Sequence, residues 1–152
     1  MYFLGGRWTY YSTDGSSWTK ENSQSSNWGY NGVTFGNNFF VGVSNGGIWT
    51  FDGTDEVQRK SRDTSAQFID VNYGDDTFIS VGERGVIYTS SDGITWSQES
   101  SGITSDIHGI NHGDQTHIAV GSGGNIIVSS DGSTWSSISS GTTSTLLAVA
   151  PA

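Results

Sequence analysis

The strongest constraint on this chain is a short phrase that keeps returning. STDGSSW stands at residues 12–18, SSDGITW at 90–96 and SSDGSTW at 129–135, with a shortened form, FDGT, at 51–54. From Asp14 to Asp52, Asp92 and Asp131 the steps are 38, 40 and 39 residues. A second frame runs in step with the first: Val33, Val71, Ile110 and Val149 lie 38, 39 and 39 residues apart. Gly36, Gly74 and Gly113 each follow three residues behind the first three of these. A period of about 40, built from short alternating apolar runs and Gly-rich turns, predicts one small antiparallel sheet per repeat, the spacing of propeller blades.

The third repeat shows the pattern most clearly. Alternating runs at 78–81, 86–89 and 95–99 are separated by turns at 83–85 and at Asp92-Gly93, and a Ser/Gly-rich connection leads to a fourth run at 107–111. The chain therefore reads as one all-β domain of 152 residues with repeats at about 1–38, 39–76, 77–115 and 116–152. The expected fold is a β-propeller of four four-stranded blades, about 39 residues each. The first repeat starts at what is the second strand of the others, and the last apolar run, 146–150, is a first strand. Pairing of 146–150 with 2–4 would complete one blade, seal the ring and hide two strand edges. The alternative is a half-ring whose two copies exchange these strands in an eight-bladed dimer, so the chain is expected as a monomer or a homodimer.

The repeated phrase has a local chemistry. An aspartate side chain accepts hydrogen bonds from N–H groups one to three residues on, glycine takes the left-handed conformation, and Ser or Thr adds further bonds. The tryptophan that follows is placed to fold between neighbouring blades. Ser12, Asp14, Gly15 and Trp18, then Asp52 and Gly53, then Ser90, Asp92, Gly93 and Trp96, and finally Ser129, Asp131, Gly132 and Trp135 are thus expected to be structural.

These phrases resemble the Asp-box of sialidase-type (BNR) propellers. Residues 120–135, VGSGGNIIVSSDGSTW, are similar to repeats of photosystem II assembly and stability factors and of related bacterial and phage propellers. The resemblance covers essentially the whole chain at the level of the repeat. It implies that the boxes are turns on the face away from any binding site, so that Asp14, Asp92 and Asp131 are not catalytic.

Composition narrows the function. Fifteen acidic residues against six basic ones give a net charge of −9, which repels phosphate backbones and anionic lipid. Nucleic acid is excluded as a partner on that ground. The absence of cysteine removes disulfides and thiolate metal sites. No apolar run reaches the roughly 18 residues of a membrane span, and the first residues do not read as a signal peptide, so a soluble protein in a virion or the cytoplasm is expected.

Catalytic readings are weak. By the resemblance, a sialidase would need three arginines on one carboxylate, a Tyr/Glu pair and an acid. The arginines here are Arg7, Arg59, Arg62 and Arg84, three of them in only two repeats. Asp70, Asp106 and Glu83 are candidate glycosidase carboxylates by number alone, whereas Asp75, Asp76 and Asp114 read as solvated turn residues. His108, His112 and His117 have spacings compatible with a zinc or nickel site, but Ile69, Tyr73 and Phe78 stand at equivalent positions, so packing is the simpler reading. No metal, no cofactor and no enzymatic activity are expected.

The face opposite the boxes offers Trp28, Arg62 and Arg84 as its large groups, suited to stacking on a sugar or pairing with a carboxylate. The expected function is a non-enzymatic scaffold or interaction module with a protein partner or larger assembly, such as a phage virion decoration or tail component. The alternatives are a glycan-binding, lectin-like propeller and, behind it, a sialidase-like glycosidase.

Overall fold

The computed structural model describes residues 2–4, 10–20, 29–53, 55–61 and 66–151. Among these residues fifteen strands form four antiparallel sheets in which sequence neighbours pair. The first sheet holds β1 (Tyr2–Leu4), β2 (Tyr10–Ser12) and β3 (Thr19–Lys20); the second holds β4 (Gly32–Gly36), β5 (Phe39–Ser44), β6 (Gly47–Phe51) and β7 (Glu56–Ser61). The third is β8 (Phe68–Gly74), β9 (Thr77–Gly82), β10 (Val86–Ser90) and β11 (Ser97–Ser100). The fourth is β12 (Ile107–Gly113), β13 (Thr116–Gly121), β14 (Ile126–Ser129) and β15 (Ser136–Ile138). This is the four-bladed β-propeller architecture that the repeat predicts.

Blades are held together by side chains that alternate between two neighbours. In β9 and β10, Phe78, Val86 and Tyr88 face the second blade and join Val41, Val43 and Ile48 in one core cluster. Ile79, Val81 and Ile87 point the other way and join Ile107, Ile110, Ala119 and Ile127 of the fourth blade. Each fully buried side chain of this size contributes on the order of 1.5–3 kcal/mol. A sheet sandwiched on both faces reads as nearly continuous apolar sequence, which is why β9 is buried from Phe78 to Gly82. A β-bulge between Phe68 and Asp70 shifts the register of β8, so that Phe68 and Val71 reach the same cluster despite odd spacing.

The glycine frame is explained by the innermost strands. A methyl group built on Gly36 would lie 2.5 Å from the Tyr73 ring, one on Gly74 2.3 Å from His112, and one on Gly113 2.4 Å from Pro151. Each glycine is therefore the floor on which the next innermost strand lays a ring. Asparagines add polar ties along the same line: Asn72 Nδ2 donates to Asn111 Oδ1 (3.4 Å) and Asn111 Nδ2 to the Val149 carbonyl (3.1 Å).

The seal of the ring differs from expectation. Among the described residues the first blade has three strands, and β1 is strand-paired with β2 alone. Residues 146–151 do not form a strand with 2–4; they run along β12 beside Gly109 and Gly113, in the position an innermost strand takes in a following blade. The physical reason lies in the stacking: 146–151 is placed by the same kind of glycine contact that sets β8 on β4 and β12 on β8, and by an asparagine tie like the one between β8 and β12, and these act without any partner from the first blade.

Candidate interaction face

The aspartate turns are closed by short hydrogen bonds. In the third blade Asp92 Oδ1 accepts the N–H groups of Ile94 and Thr95, both at 2.8 Å, and the Ser90 hydroxyl at 2.9 Å, while Ser90 Oγ accepts the Gly93 N–H at 2.7 Å. Asp131 repeats the set with Ser133, Thr134 and Ser129, and Asp14 with Ser16, Ser17 and Ser12. In the second blade the Asp55 N–H donates to Asp52 Oδ1 at 3.0 Å. Backbone donors stabilise the ionised form, holding Asp92 down to about 2 and Asp14 and Asp131 well below the ordinary carboxylate range. Such groups keep their charge and have no proton to give at neutral pH. Trp96 and Trp135 each donate Nε1–H to the glycine carbonyl of their own turn, at 3.1 and 3.0 Å, and pack onto the inter-blade clusters.

The opposite face carries the connections between β9 and β10 and between β13 and β14, single 3-10 turns at Glu83–Gly85 and Ser122–Gly124. Arg84 sits at the centre of the first, in the left-handed region at φ 57 and ψ 29, with its side chain exposed. That backbone is fixed from two sides: Asp106 Oδ1, at the start of the next blade, accepts the Arg84 N–H at 2.9 Å, and the Gln67 carbonyl, just before β8 of the same blade, accepts the Glu83 N–H at 3.0 Å. Beside Arg84 lies a shallow cavity of about 360 Å³ formed with Gly85, Gln98, Glu99, Ser101 and Ile103. The equivalent cavity of the fourth blade, about 550 Å³, is lined by Gly124, Asn125, Ser140 and Thr142 and carries no cation. Among the described residues no carboxylate pairs with the Arg84 guanidinium. Trp28 and Arg62, the other two groups expected on this face, lie outside the described residues.

The candidate carboxylates have structural duties. Asp70 spans two innermost strands, accepting the Val71 N–H on Oδ1 (2.9 Å) and the Ile110 N–H on Oδ2 (3.1 Å). Burial pushes its carboxyl above the ordinary range, against the pull of those two donors. Glu83 Oε2 accepts the Gln67 N–H at 3.3 Å and Asp106 fixes Arg84. Asp75, Asp76 and Asp114 are turn residues with positive φ, as expected. Asp75 is more than a solvated turn residue, however: its Oδ2 lies 3.2 Å from His112 Nε2, an ion-pair contact when the imidazole is charged, though not in hydrogen-bond geometry.

Of the three histidines the structure brings two together. His112 and His117 are opposed across β12 and β13 with ring centroids 4.6 Å apart. His108 is not with them. A bulge between Ile107 and Gly109 breaks the parity that would have put His108 and His112 on one strand face, and His108 Nε2 instead bonds Ser122 Oγ at 2.9 Å. His117 takes the place of Phe40 and Phe78 in the other blades. Its burial, followed by the nearby His112 charge, lowers its affinity for a proton.

No protein-family model and no curated protein sequence matches the chain. Solved structures similar to it include two of YCF48. "YCF48 bound to D1 peptide" has a TM-score of 0.66 at 16% identity, over 86% of this chain and 48% of that one. "YCF48 from Cyanidioschyzon merolae" has a TM-score of 0.54 at 21% identity, over 70% and 35%. The chain thus spans about half the length, or less, of the structures it matches. At these identities the likeness is one of fold, and it agrees with the similarity to photosystem II assembly factor propellers read from the repeat.

Proposed function

We propose that the chain is a non-enzymatic propeller module that holds a segment of a partner protein on the face carrying Arg84. What carries the reading is the state of that arginine: its backbone is fixed by Asp106, its guanidinium is exposed and has no carboxylate partner among the described residues, and it borders a cavity. An arginine held this way suits bidentate pairing with one carboxylate, while the carbonyls and hydroxyls of 98–104 suit main-chain contacts. A chain with net charge −9 repels polyacidic segments, so a single carboxylate is the fitting anchor. One similar structure is YCF48 bound to a D1 peptide, so the fold can hold a peptide. We read the turns as Asp-boxes that stiffen the scaffold. Its setting is a larger assembly, a virion decoration or tail component being the one that the phage-like repeats favour.

The test is selection of random displayed peptides against the 152-residue chain, followed by binding measurements with Arg84→Ala and Arg84→Lys. Charge-assisted hydrogen bonds contribute about 1.5–3 kcal/mol, so Arg84→Ala should weaken selected peptides about tenfold or more, with Arg84→Lys recovering part of the loss. Binders indifferent to Arg84, or no binders at all, would refute the reading.

A further inference from the structure

The third and fourth blades each lay a pair of rings against the blade before them. In the third blade the pair is Tyr73 and Phe78, with centroids 4.4 Å apart, and Tyr73 lies over Gly36 of β4. In the fourth it is His112 and His117, at 4.6 Å, with His112 over Gly74 of β8. The members of the two pairs stand 39 positions apart and fill the same slots. Each pair is also tied to the first hairpin turn of the preceding blade, and the two ties differ in chemistry. Tyr73 donates its hydroxyl to Asn37 Oδ1 at 2.9 Å, a phenol on an amide. Asp75, 38 positions after Asn37, holds its Oδ2 3.2 Å from His112 Nε2, a carboxylate facing an imidazole. Neither phenol nor amide changes charge between about pH 5 and 8, whereas an imidazole does. His117, in the slot of Phe78, adds a second imidazole that is 1% exposed and whose Nδ1 is buried without a hydrogen-bond partner.

The other charged groups near the two rings are acidic: Asp75 and Asp76 in the β8–β9 turn, Asp114 in the hairpin of the rings themselves, and Asp131 in the box that follows β14. Residues 146–151, along β12, bring no titratable side chain. On the strands packed there, Asp70 is bound to the Val71 and Ile110 N–H groups, His108 to Ser122, and Tyr73 to Asn37 and Asp76. Burial, and after it a charge on His112, opposes protonation of His117, while Asp75 and Asp131 favour it. No three of the described His, Asp and Glu side chains are placed to hold a metal ion.

We propose that the joint between the third and fourth blades is a proton-operated latch, closed by one proton and opened by a second. The first goes to His112, where Asp75 of the other blade completes an ion pair across the joint. The second has only His117, whose Nδ1 has no acceptor while the joint is shut, and it would set two like charges in rings 4.6 Å apart. Charging His117 therefore requires water, and water enters when the joint opens. The preceding joint, with Tyr73, Phe78 and Asn37, has no such response. At the opposite face the Asp106–Arg84 bond crosses the same joint, so opening it also frees the Arg84 backbone. The inference stands whatever that face binds.

Because the chain has no cysteine, the two joints can be compared by thiol labelling. Ile79 is fully buried in the joint between the third and fourth blades, and Val41, 38 positions earlier, in the joint before it. Ile79→Cys and Val41→Cys proteins are labelled at each pH from about 8 to 5, so that ionisation of the thiol cancels in the ratio of their rates. That ratio should rise about tenfold per pH unit below about 6, the slope of one proton taken up on opening. His117→Phe should abolish the rise. Asp75→Asn should steepen it, because His112 is then uncharged in the closed joint and both rings take up protons as it opens. A ratio independent of pH overturns the proposal, as does a rise that survives His117→Phe or an Asp75→Asn slope equal to the parent's. Fluorine NMR of fluorotryptophan-labelled protein reads the same contrast without a core substitution, since Trp135 packs on the one joint and Trp96 on the other. The Trp135 line should move or broaden in acid while the Trp96 line holds; two lines that behave alike overturn the proposal.

Discussion

Replacing Gly93 with alanine tests whether the aspartate turn is a local device or a joint between blades. Gly93 has φ +71, and its new methyl group would lie 2.5 Å from the edge of Phe39 and 3.3 Å from Phe78. Phe39 has little room to retreat, since its ring is stacked on Phe78 at 5.7 Å with an interplanar angle of 17°. The chain supplies its own control in Gly102, where φ is +73 and a methyl group would meet nothing within 4 Å. For both, the left-handed conformation costs alanine about 1–2 kcal/mol. The lost freedom of the unfolded chain returns about 0.4–1 kcal/mol. Gly102→Ala should therefore destabilise by only about 0.5–1 kcal/mol. Overpacking adds about 1–3 kcal/mol at Gly93, for a total of about 2–4 kcal/mol. Urea unfolding followed by tryptophan fluorescence measures both, with an unchanged slope showing that the unfolded state is comparable. Two variants equal to within about 0.5 kcal/mol, a typical surface effect, would refute the idea that the turn seats on the neighbouring blade.

Other outcomes follow from the same contacts. The Asp92 carboxyl is held at about 2, below its ordinary 3.8, so its contribution to stability is complete above the ordinary value and is lost as pH falls from about 4 to about 2. Asp92→Asn should flatten that part of the stability–pH curve, and an unaltered acid limb argues against it. His117 is held below its ordinary 6.5, so the unfolded chain takes up the proton first and stability drops as pH falls below 6.5. His117→Phe, which restores the residue found at Phe40 and Phe78, should remove that drop. It should also gain about 1–2 kcal/mol at neutral pH by eliminating the buried, unpartnered Nδ1; a destabilised variant would show that the imidazole makes a bond not accounted for here. Asp70→Asn leaves one of the Val71 and Ile110 N–H groups without an acceptor and should cost about 1–3 kcal/mol at pH 7 in a urea titration; no change would mean that these bonds do not tie the innermost strands.

Periodicity alone revealed Gly36, Gly74 and Gly113, but not the rings of Tyr73, His112 and Pro151 that require them. The same distance in sequence hid the purpose of Asp70, whose second oxygen is bound by a residue forty positions on. Strict alternation would put His108 on the face of His112; a bulge consumes one residue and turns its side chain to Ser122. Arg84 was visible as a large group among small ones; the Asp106 carboxylate that fixes its backbone was not.

The sequence by itself determined the blade count, the all-β class and the four aspartate turns. Those rest on bonds between residues two or three apart, whose geometry travels with the local chain wherever it goes. Tertiary structure alone decided how the blades seat and that the first and last edges stay apart. Such contacts join residues of different repeats, Gly74 with His112 and Gly93 with Phe39 among them, and whether a ring closes depends on a small rotation between neighbouring sheets, which no single repeat encodes.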